Sequence, residues 1–143
     1  MPRLHFELSN DIAAVMPQVE SIEEFLVDAG CSVVSAQQMA IVAEEILTNI
    51  VRDAWPETGH GVCVVDVEAE PVAAAMRVSL RTDDDGIAFD PTQAEDPDTD
   101  ASLEEREIGG LGILLVRSMT DTQVYARIDG HNILTVSKLC PLG

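Results

Sequence analysis

The sequence predicts a two-layer α/β sandwich of the α+β class, in which a mixed, mostly antiparallel sheet is covered on one face by about three helices. Residues 3–9 alternate polar and apolar side chains, as a half-buried strand does. Residues 36–54 repeat apolar side chains at three- and four-residue steps, as an amphipathic helix does. The expected order is β-α-α-β-β-loop-α-β-β, in a single domain over residues 1–143.

A first helix is expected between the first strand and Gly30, because glycine commonly ends helices. Ser9 or Asn10 is the predicted cap of this helix. Alternatively, an irregular turn comes first and Pro17 is the first helical residue. Ser35 is the predicted cap of the second helix.

The rest of the chain reads as two β-type runs, a long loop, a helix and a final hairpin. The runs are 62–67 and 74–80, with a turn at Glu70-Pro71. A helix is expected from the glycine run at 109–112 to about residue 120. The last two strands, 122–127 and 132–139, are expected to turn at Asp129-Gly130.

The composition is that of a folded but strongly acidic protein. Apolar residues make up 46% of the chain, and 26 acidic against 8 basic residues give a net charge of −18. This charge argues against nucleic acid and anionic membranes as partners, because both present phosphates. A basic or neutral protein partner fits better, although the acidity can also serve solubility alone.

The cysteines favour a cytoplasmic protein with reduced thiols. Cys31, Cys63 and Cys140 are scattered and form no CxxC pair or metal-ligand spacing with a histidine. The N-terminal residues do not read as a signal peptide. No apolar run approaches the roughly 18 residues that a membrane span needs.

The second helix carries a pair of side chains suited to metal and proton chemistry. Glu45 and Asn49 are four residues apart and therefore project from one helix face, beside the apolar stripe. The carbonyl oxygen of Asn49 suits Mg²⁺, and the Glu45 carboxylate could accept a proton from a hydroxyl. The alternative is a solvated helix flank.

An acidic turn containing glycine follows the second β-type run. Gly86 permits a backbone bend that other residues resist. Asp84 could then point into a pocket and accept a hydrogen bond from an exocyclic amine such as that of adenine, with Phe89 packed beneath it. A plain surface turn or a loose calcium loop are the alternatives, although the oxygen ladder of an EF-hand is missing.

A glycine run opens the third helix, and its residues are Gly109, Gly110, Leu111 and Gly112. Backbone amides at a helix N-terminus bind phosphate, and glycines allow its close approach. The run is neither a Walker A loop nor a Rossmann fingerprint, because no Gly-Lys-Ser/Thr follows it and no strand precedes it. A flexible hinge is the alternative. Residues 92–112 include a long acidic loop that could close as a lid over a nucleotide.

Taken in order, these three clusters resemble the ATP-binding domain shared by gyrase, Hsp-type chaperones, histidine kinases and MutL, the GHKL or Bergerat fold. Within that superfamily the chain is most similar to the anti-sigma factor serine kinases of RsbW type, over residues 4–139. The resemblance implies a Bergerat-fold ATP-binding domain that uses ATP and Mg²⁺, with residues 92–112 as its ATP lid.

The resemblance also implies a role for each matching residue. Glu45 is the implied general base and Asn49 the implied Mg²⁺ ligand. The family usually has histidine where this chain has Asp53, close to the phosphates. Arg106, in the lid, is the side chain implied to meet the γ-phosphate. The two glycine boxes supply the remaining nucleotide contacts, namely Asp84 to the adenine amine, Gly86, Ala88, Phe89, Gly109, Gly110, Leu111 and Gly112.

The implied function is phosphoryl transfer from ATP to a serine of a STAS-domain anti-sigma antagonist, with a sigma factor as the competing partner. Related kinases are commonly dimers, so a homodimer is expected. Asp53 motivates an alternative, in which the domain binds ATP or ADP without turnover and its nucleotide state sets partner affinity. A nucleotide-free interaction protein with a decayed site is the third interpretation, disfavoured by the retained motifs.

Overall fold

The computed structural model describes residues 2–56, 59–88 and 110–142. The order of elements in these residues agrees with the predicted order. The elements are β1 Arg3–Ser9, a 3-10 turn Ile12–Ala14, α1 Val15–Ala29, α2 Val33–Asp53, β2 Val62–Val72, β3 Ala75–Asp84, α3 Gly110–Met119, β4 Thr122–Ile128 and β5 His131–Pro141.

The described strands form one five-stranded sheet in the order β1-β2-β3-β5-β4, and each pairing is antiparallel. Three helices accompany this sheet within the same residues, so the predicted α+β fold class is confirmed. β5 lies between β3 and β4, which places Asn132 directly opposite Asp84. The end of β3 therefore meets the β4–β5 hairpin.

The core lies between the sheet and the helices. Every second residue of β2 and β3 is buried over most of their length, as expected for strands with one covered face. α1 packs on α2, and α2 packs on α3. Burying one such aliphatic side chain contributes about 1.5–3 kcal/mol to folding. The largest side chains in this core include Leu8, Ile22, Leu26, Met39, Leu47 and Leu80.

The starts of the first two helices agree with the prediction only in part. The irregular turn that was the alternative start is present as the 3-10 turn, and α1 then begins at Val15 rather than at Pro17. The carboxylate of Asp11, and not Ser9 or Asn10, accepts a hydrogen bond from the Ala13 amide and caps the 3-10 turn. Pro17 lies in the first turn of α1, where its missing N–H is not needed. The cap of α2 is Ser32, not Ser35, because Ser32 is the extended residue whose hydroxyl accepts from a first-turn amide.

The turn between β2 and β3 also differs from the prediction. It lies at Ala73 and Ala74, not at Glu70-Pro71, and Ala73 has a positive φ of 54°. Pro71 is inside β2, opposite Met76. β1 pairs with β2 only as far as Glu68, so this stretch of β2 needs no N–H on that side.

Two predicted turns are confirmed. Gly30 ends α1 in the left-handed conformation, with φ 114°. Asp129 and Gly130 both have positive φ, 52° and 81°, as a type I′ hairpin turn requires. Among the described helices, none combines the length and apolarity needed to cross a bilayer.

The face of the sheet away from the helices carries charged side chains. Asp66 on β2 is buried there, and its carboxylate accepts hydrogen bonds from His5 and from the Arg3 guanidinium at 2.7 Å each. Burial alone would raise the pKa of Asp66, but these hydrogen bonds and the neighbouring positive charge outweigh it and lower the pKa. A second arginine, Arg81, lies 4.0 Å from the same carboxylate.

Candidate functional site

A cavity of about 180 Å³ opens between α2, the end of β3, α3 and the β4–β5 hairpin. Most of its lining is apolar, as is usual in pockets for small organic ligands. Three of the six buried polar residues in the described segments line it, although such groups are rare in cores. These three are Thr82, Asp84 and Asn132, and they concentrate hydrogen-bonding capacity at one end of an apolar space.

Asp84, the last residue of β3, is 4% exposed and lines the cavity. Its Oδ1 accepts hydrogen bonds from the Gly86 amide at 2.9 Å and from Nδ2 of Asn132 at 3.0 Å. Within the described segments, no donor is hydrogen-bonded to Oδ2 of Asp84. A buried carboxylate oxygen without a donor is costly. A ligand that donates an N–H to it would remove this cost.

Gly86 is required here for space and not for a special backbone angle, which corrects the expectation of a glycine-only bend. Its φ is not in the positive region. A Cβ on Gly86 would lie 2.5 Å from both the Cβ and the carbonyl oxygen of Ala54 at the end of α2. The Ile87 amide donates to the same carbonyl oxygen at 2.9 Å. The backbone after β3 is thus docked against α2.

The side chains of Asn49 and Asp53 line the cavity from α2. Arg52 lies between them and donates to Oδ1 of Asn49 at 2.7 Å and to the Asp53 carboxylate at 3.3 Å. The Arg52 guanidinium is thus hydrogen-bonded to the Asn49 oxygen that was predicted to bind Mg²⁺. No cluster of three His, Cys, Asp or Glu side chains in the described residues could hold a metal ion.

Glu45 lies one turn before Asn49 and contacts α3. A Cβ on Gly112 would overlap Oε2 of Glu45 and lie 3.2 Å from its Cδ. Glu45 is half-buried and is not part of the cavity lining, whereas Glu44 is exposed. The contact places the carboxylate of the first motif against the backbone of the third.

The structure thus brings together residues from all three predicted clusters. Asn49, Asp53, Asp84 and Ala88 line the cavity, and Gly86 supports its wall. The backbones of Gly110, Leu111 and Gly112 form the first turn of α3. Phe89, Arg106 and Gly109, and most of the predicted lid, lie outside the described residues.

Several lining residues were missed in the sequence. Thr82 is 2% exposed and lies two residues before Asp84, so strand alternation could have indicated that both share a face. Asn132 has no comparable local indication, because only the pairing of β5 with β3 brings it to Asp84. Arg52 and Arg117 also line the cavity, which is notable in a chain with 8 basic and 26 acidic residues.

The hairpin holds Asn132 in place. Oδ1 of Asn132 accepts hydrogen bonds from the Tyr125 hydroxyl at 2.5 Å and from the Arg127 guanidinium at 3.0 Å. Its Nδ2 also donates to the Ile87 carbonyl at 2.7 Å, and Arg127 donates to the Gly86 carbonyl at 2.8 Å. The hairpin therefore fixes both Asn132 and the backbone that follows β3.

These features fit a ligand with a flat apolar ring, an N–H donor and an anionic part. The apolar walls suit the ring, and the buried Asp84 carboxylate suits the donor. Arg52 and Arg117 suit an anionic group, because guanidinium binds phosphate well. An adenine nucleotide has all three parts.

Comparison with known proteins identifies the family of the chain. A model of the histidine kinase-like ATPase domain matches residues 8–138. The serine/threonine-protein kinase BtrW of Bordetella bronchiseptica is 35% identical over 99 residues, which cover 69% of this chain and 67% of BtrW.

A crystal structure of the RsbU and RsbW domains of Rv1364c from Mycobacterium tuberculosis matches 97% of this chain, with a TM-score of 0.62 and 14% identity. The match covers 33% of the chain in that structure, and at this identity the likeness concerns the fold alone. The family model and the BtrW match confirm the family that the three motifs indicated. The chain belongs to the histidine kinase-like ATPase domain family.

Proposed function

We propose that this chain binds Mg·ATP in the cavity and transfers the terminal phosphoryl group to a serine of a partner protein. The observation that carries the proposal is the convergence of Asn49, Asp84 and Arg117 on one cavity, from three separate elements. Similarity to a serine/threonine-protein kinase supports the choice of reaction. The single-domain organisation and the lid over residues 92–112 are part of the same proposal.

Each part of the cavity has a role in binding. The Asp84 carboxylate accepts a hydrogen bond from the exocyclic amine of adenine, and the apolar walls enclose the adenine ring. Asn49 would hold Mg²⁺ through its side-chain oxygen once Arg52 releases it. Bound Mg²⁺ would neutralise charge on the phosphates. Arg52, when it releases Asn49, and Arg117 supply further positive charge to the phosphate chain.

Glu45 is the proposed general base. It lies against Gly112, so a serine hydroxyl that enters beside the first turn of α3 would be within its reach. Glu45 would orient this hydroxyl and accept its proton. The amides of Gly110, Leu111 and Gly112, together with Gly109, would stabilise the phosphates at the helix start. Phe89, Ala88 and Arg106 complete the proposed nucleotide contacts.

The proposed partner is a STAS-domain anti-sigma antagonist, with a sigma factor competing for the same chain. The likeness to BtrW and to the fold of a structure containing an RsbW domain supports this class of partner. The net charge of −18 favours a neutral or basic protein surface over nucleic acid or anionic lipid. A cytoplasmic location and a homodimer belong to the same proposal.

A transfer assay with labelled ATP and candidate STAS-domain proteins tests the reaction. We expect label on a serine of the partner and at least a hundredfold slower transfer in Glu45→Gln, which keeps shape but removes the base. Glu44→Gln is the matched control, because Glu44 is the exposed neighbour on the same helix. Equal transfer by wild type and Glu45→Gln would refute the assigned base.

A non-catalytic nucleotide switch is the second candidate function. Asp53 favours it, because a carboxylate lines the cavity where the family usually has an imidazole, and a negative charge near phosphates opposes their approach. This candidate predicts Mg·ATP binding without transfer, and nucleotide-dependent affinity for the partner. Asp53→His would then bring about transfer, whereas transfer by the wild-type chain would exclude the candidate.

A further inference from the structure

The Asn132 side chain has one possible orientation. Its Oδ1 faces the Arg127 guanidinium at 3.0 Å, and a guanidinium can only donate hydrogen bonds. The Tyr125 hydroxyl reaches the same oxygen at 2.5 Å. Nδ2 must therefore be the atom that faces Asp84. Asn132 is 7% exposed, so solvent hardly competes for these bonds.

This orientation determines what Asp84 can offer to a ligand. Oδ1 of Asp84 receives two N–H donors, one from Asn132 at 3.0 Å and one from Gly86 at 2.9 Å. These two hydrogen bonds use the acceptor capacity of Oδ1 and fix the plane of the Asp84 carboxylate. Oδ2 remains as the acceptor for a ligand. Rotation of the carboxylate out of this plane would lose both hydrogen bonds, and a half-turn only exchanges its two equivalent oxygens, so the position of the second oxygen is fixed as well.

We propose that Asn132, held by Tyr125 and Arg127, is a positioning residue that makes this cavity select a purine with an amino group at position 6 over one with a carbonyl there. The inference rests on the proposed nucleotide binding and goes beyond it. A 6-amino group donates to Oδ2, whereas a 6-carbonyl would place an acceptor against a fixed acceptor. A ligand that leaves a buried polar group unpaired, or that repels it, binds much more weakly than one that pairs with it.

The test compares Mg·ATP with Mg·ITP, which has a carbonyl in place of the 6-amino group but the same ribose and triphosphate. Calorimetry on the whole chain gives both dissociation constants and their ratio. We expect the wild type to bind ATP at least tenfold more tightly than ITP. Asn132→Leu and Tyr125→Phe should each lower this preference for ATP over ITP severalfold, mainly by weakening the binding of ATP. Tyr125→Phe keeps the ring and removes only the hydroxyl, so it also serves if Asn132→Leu does not fold.

Asn10→Leu is the matched control, because Asn10 donates to the Gly59 carbonyl and does not line the cavity. It should leave the ATP:ITP ratio unchanged. General destabilisation of the fold would weaken the binding of both nucleotides alike and leave the ATP:ITP ratio unchanged.

An unchanged ratio in Tyr125→Phe and in folded Asn132→Leu would overturn the inference while nucleotide binding stands. Equal binding of ATP and ITP by the wild type would do the same. Binding of neither nucleotide by folded wild type would overturn both the inference and the proposed function.

Discussion

The carboxylate of Glu45 on α2 packs against Gly112 in the first turn of α3, so closely that a Cβ on Gly112 would overlap it. The two residues come from the first and third motifs and are far apart in the chain. Their contact joins the proposed proton acceptor to the proposed phosphate-binding backbone. The glycine at this position therefore has a packing reason as well as a role in phosphate approach.

Gly112→Ala should affect phosphoryl transfer without lowering the stability of the fold. The added Cβ meets the end of the Glu45 side chain, which can swing away at little cost. Alanine also has the higher helix propensity, by about 1 kcal/mol. We expect the free energy of unfolding to be unchanged or to rise by up to about 1 kcal/mol, while phosphoryl transfer falls at least tenfold. Urea denaturation and the transfer assay measure the two effects, and Ser118→Ala on the same helix is the control. Unimpaired transfer would contradict the contact's role.

Gly86→Ala should cost both stability and nucleotide binding. The new Cβ would lie 2.5 Å from the Cβ and the carbonyl oxygen of Ala54, and neither the helix end nor the β3 strand can easily move. Overpacking of this kind typically costs about 1–3 kcal/mol. Adding Ala54→Gly removes the Cβ but leaves the carbonyl, so we expect only partial recovery in urea denaturation. Full recovery would show that the carbonyl contact is unimportant.

The buried thiol of Cys63 predicts loss of stability at alkaline pH. Burial, and then the nearby Asp84 charge, raise the pKa of Cys63 to about 12. An unfolded thiol has a pKa of about 8.5. This contribution to stability is therefore complete below that pH and is lost as the pH rises toward the folded pKa of about 12. Between pH 8.5 and 10.5 we expect a loss of about 2 kcal/mol. In Cys63→Ala, the decline measured by urea denaturation should be shallower, and an identical decline would contradict the assignment.

The buried carboxylate of Asp66 predicts loss of stability at acid pH. Burial opposes ionisation, but the hydrogen bonds from His5 and Arg3 outweigh it, so the folded pKa lies below the ordinary 3.8. The stabilisation is therefore present above pH 3.8 and is lost as pH falls through the folded pKa. Asp66→Asn should flatten the fall in unfolding free energy below pH 4. Asp28→Asn, at an exposed position on α1, is the matched control. If the unfolding free energies of wild type and Asp66→Asn fell in parallel with pH, Asp66 would not be the source of the acid sensitivity.

Local patterns predicted the parts of the site that depend on local geometry. Glu45 and Asn49 share a helix face because they are four residues apart. Asp84 was predicted in the turn after an apolar strand, and it is the last residue of that strand because β3 continues beyond the predicted end at residue 80. The Asp129-Gly130 turn followed from the residue types that a type I′ turn requires. Each of these inferences needs only a short stretch of chain.

Long-range packing explains what the sequence could not predict. Asn132 reaches Asp84 only because β5 pairs with β3 in one register, and Gly86 is constrained by the distant Ala54 rather than by its own backbone angles. The turn after β2 was misplaced because the local Glu70-Pro71 pattern ignores where β1 ends. Ser35 was predicted as the cap of α2, and only the extended backbone conformation of Ser32 identifies that residue as the cap.

Calorimetric titration of the chain with Mg·ATP, in wild type and in Asp84→Asn, tests the central claim most directly. Asparagine keeps the oxygen that accepts from the Gly86 amide but replaces the other with a donor, which would oppose the adenine amine. We predict saturable binding by the wild type and at least tenfold weaker binding by a stably folded Asp84→Asn. No binding by folded wild type at millimolar Mg·ATP, or equal binding by the two proteins, would contradict the account.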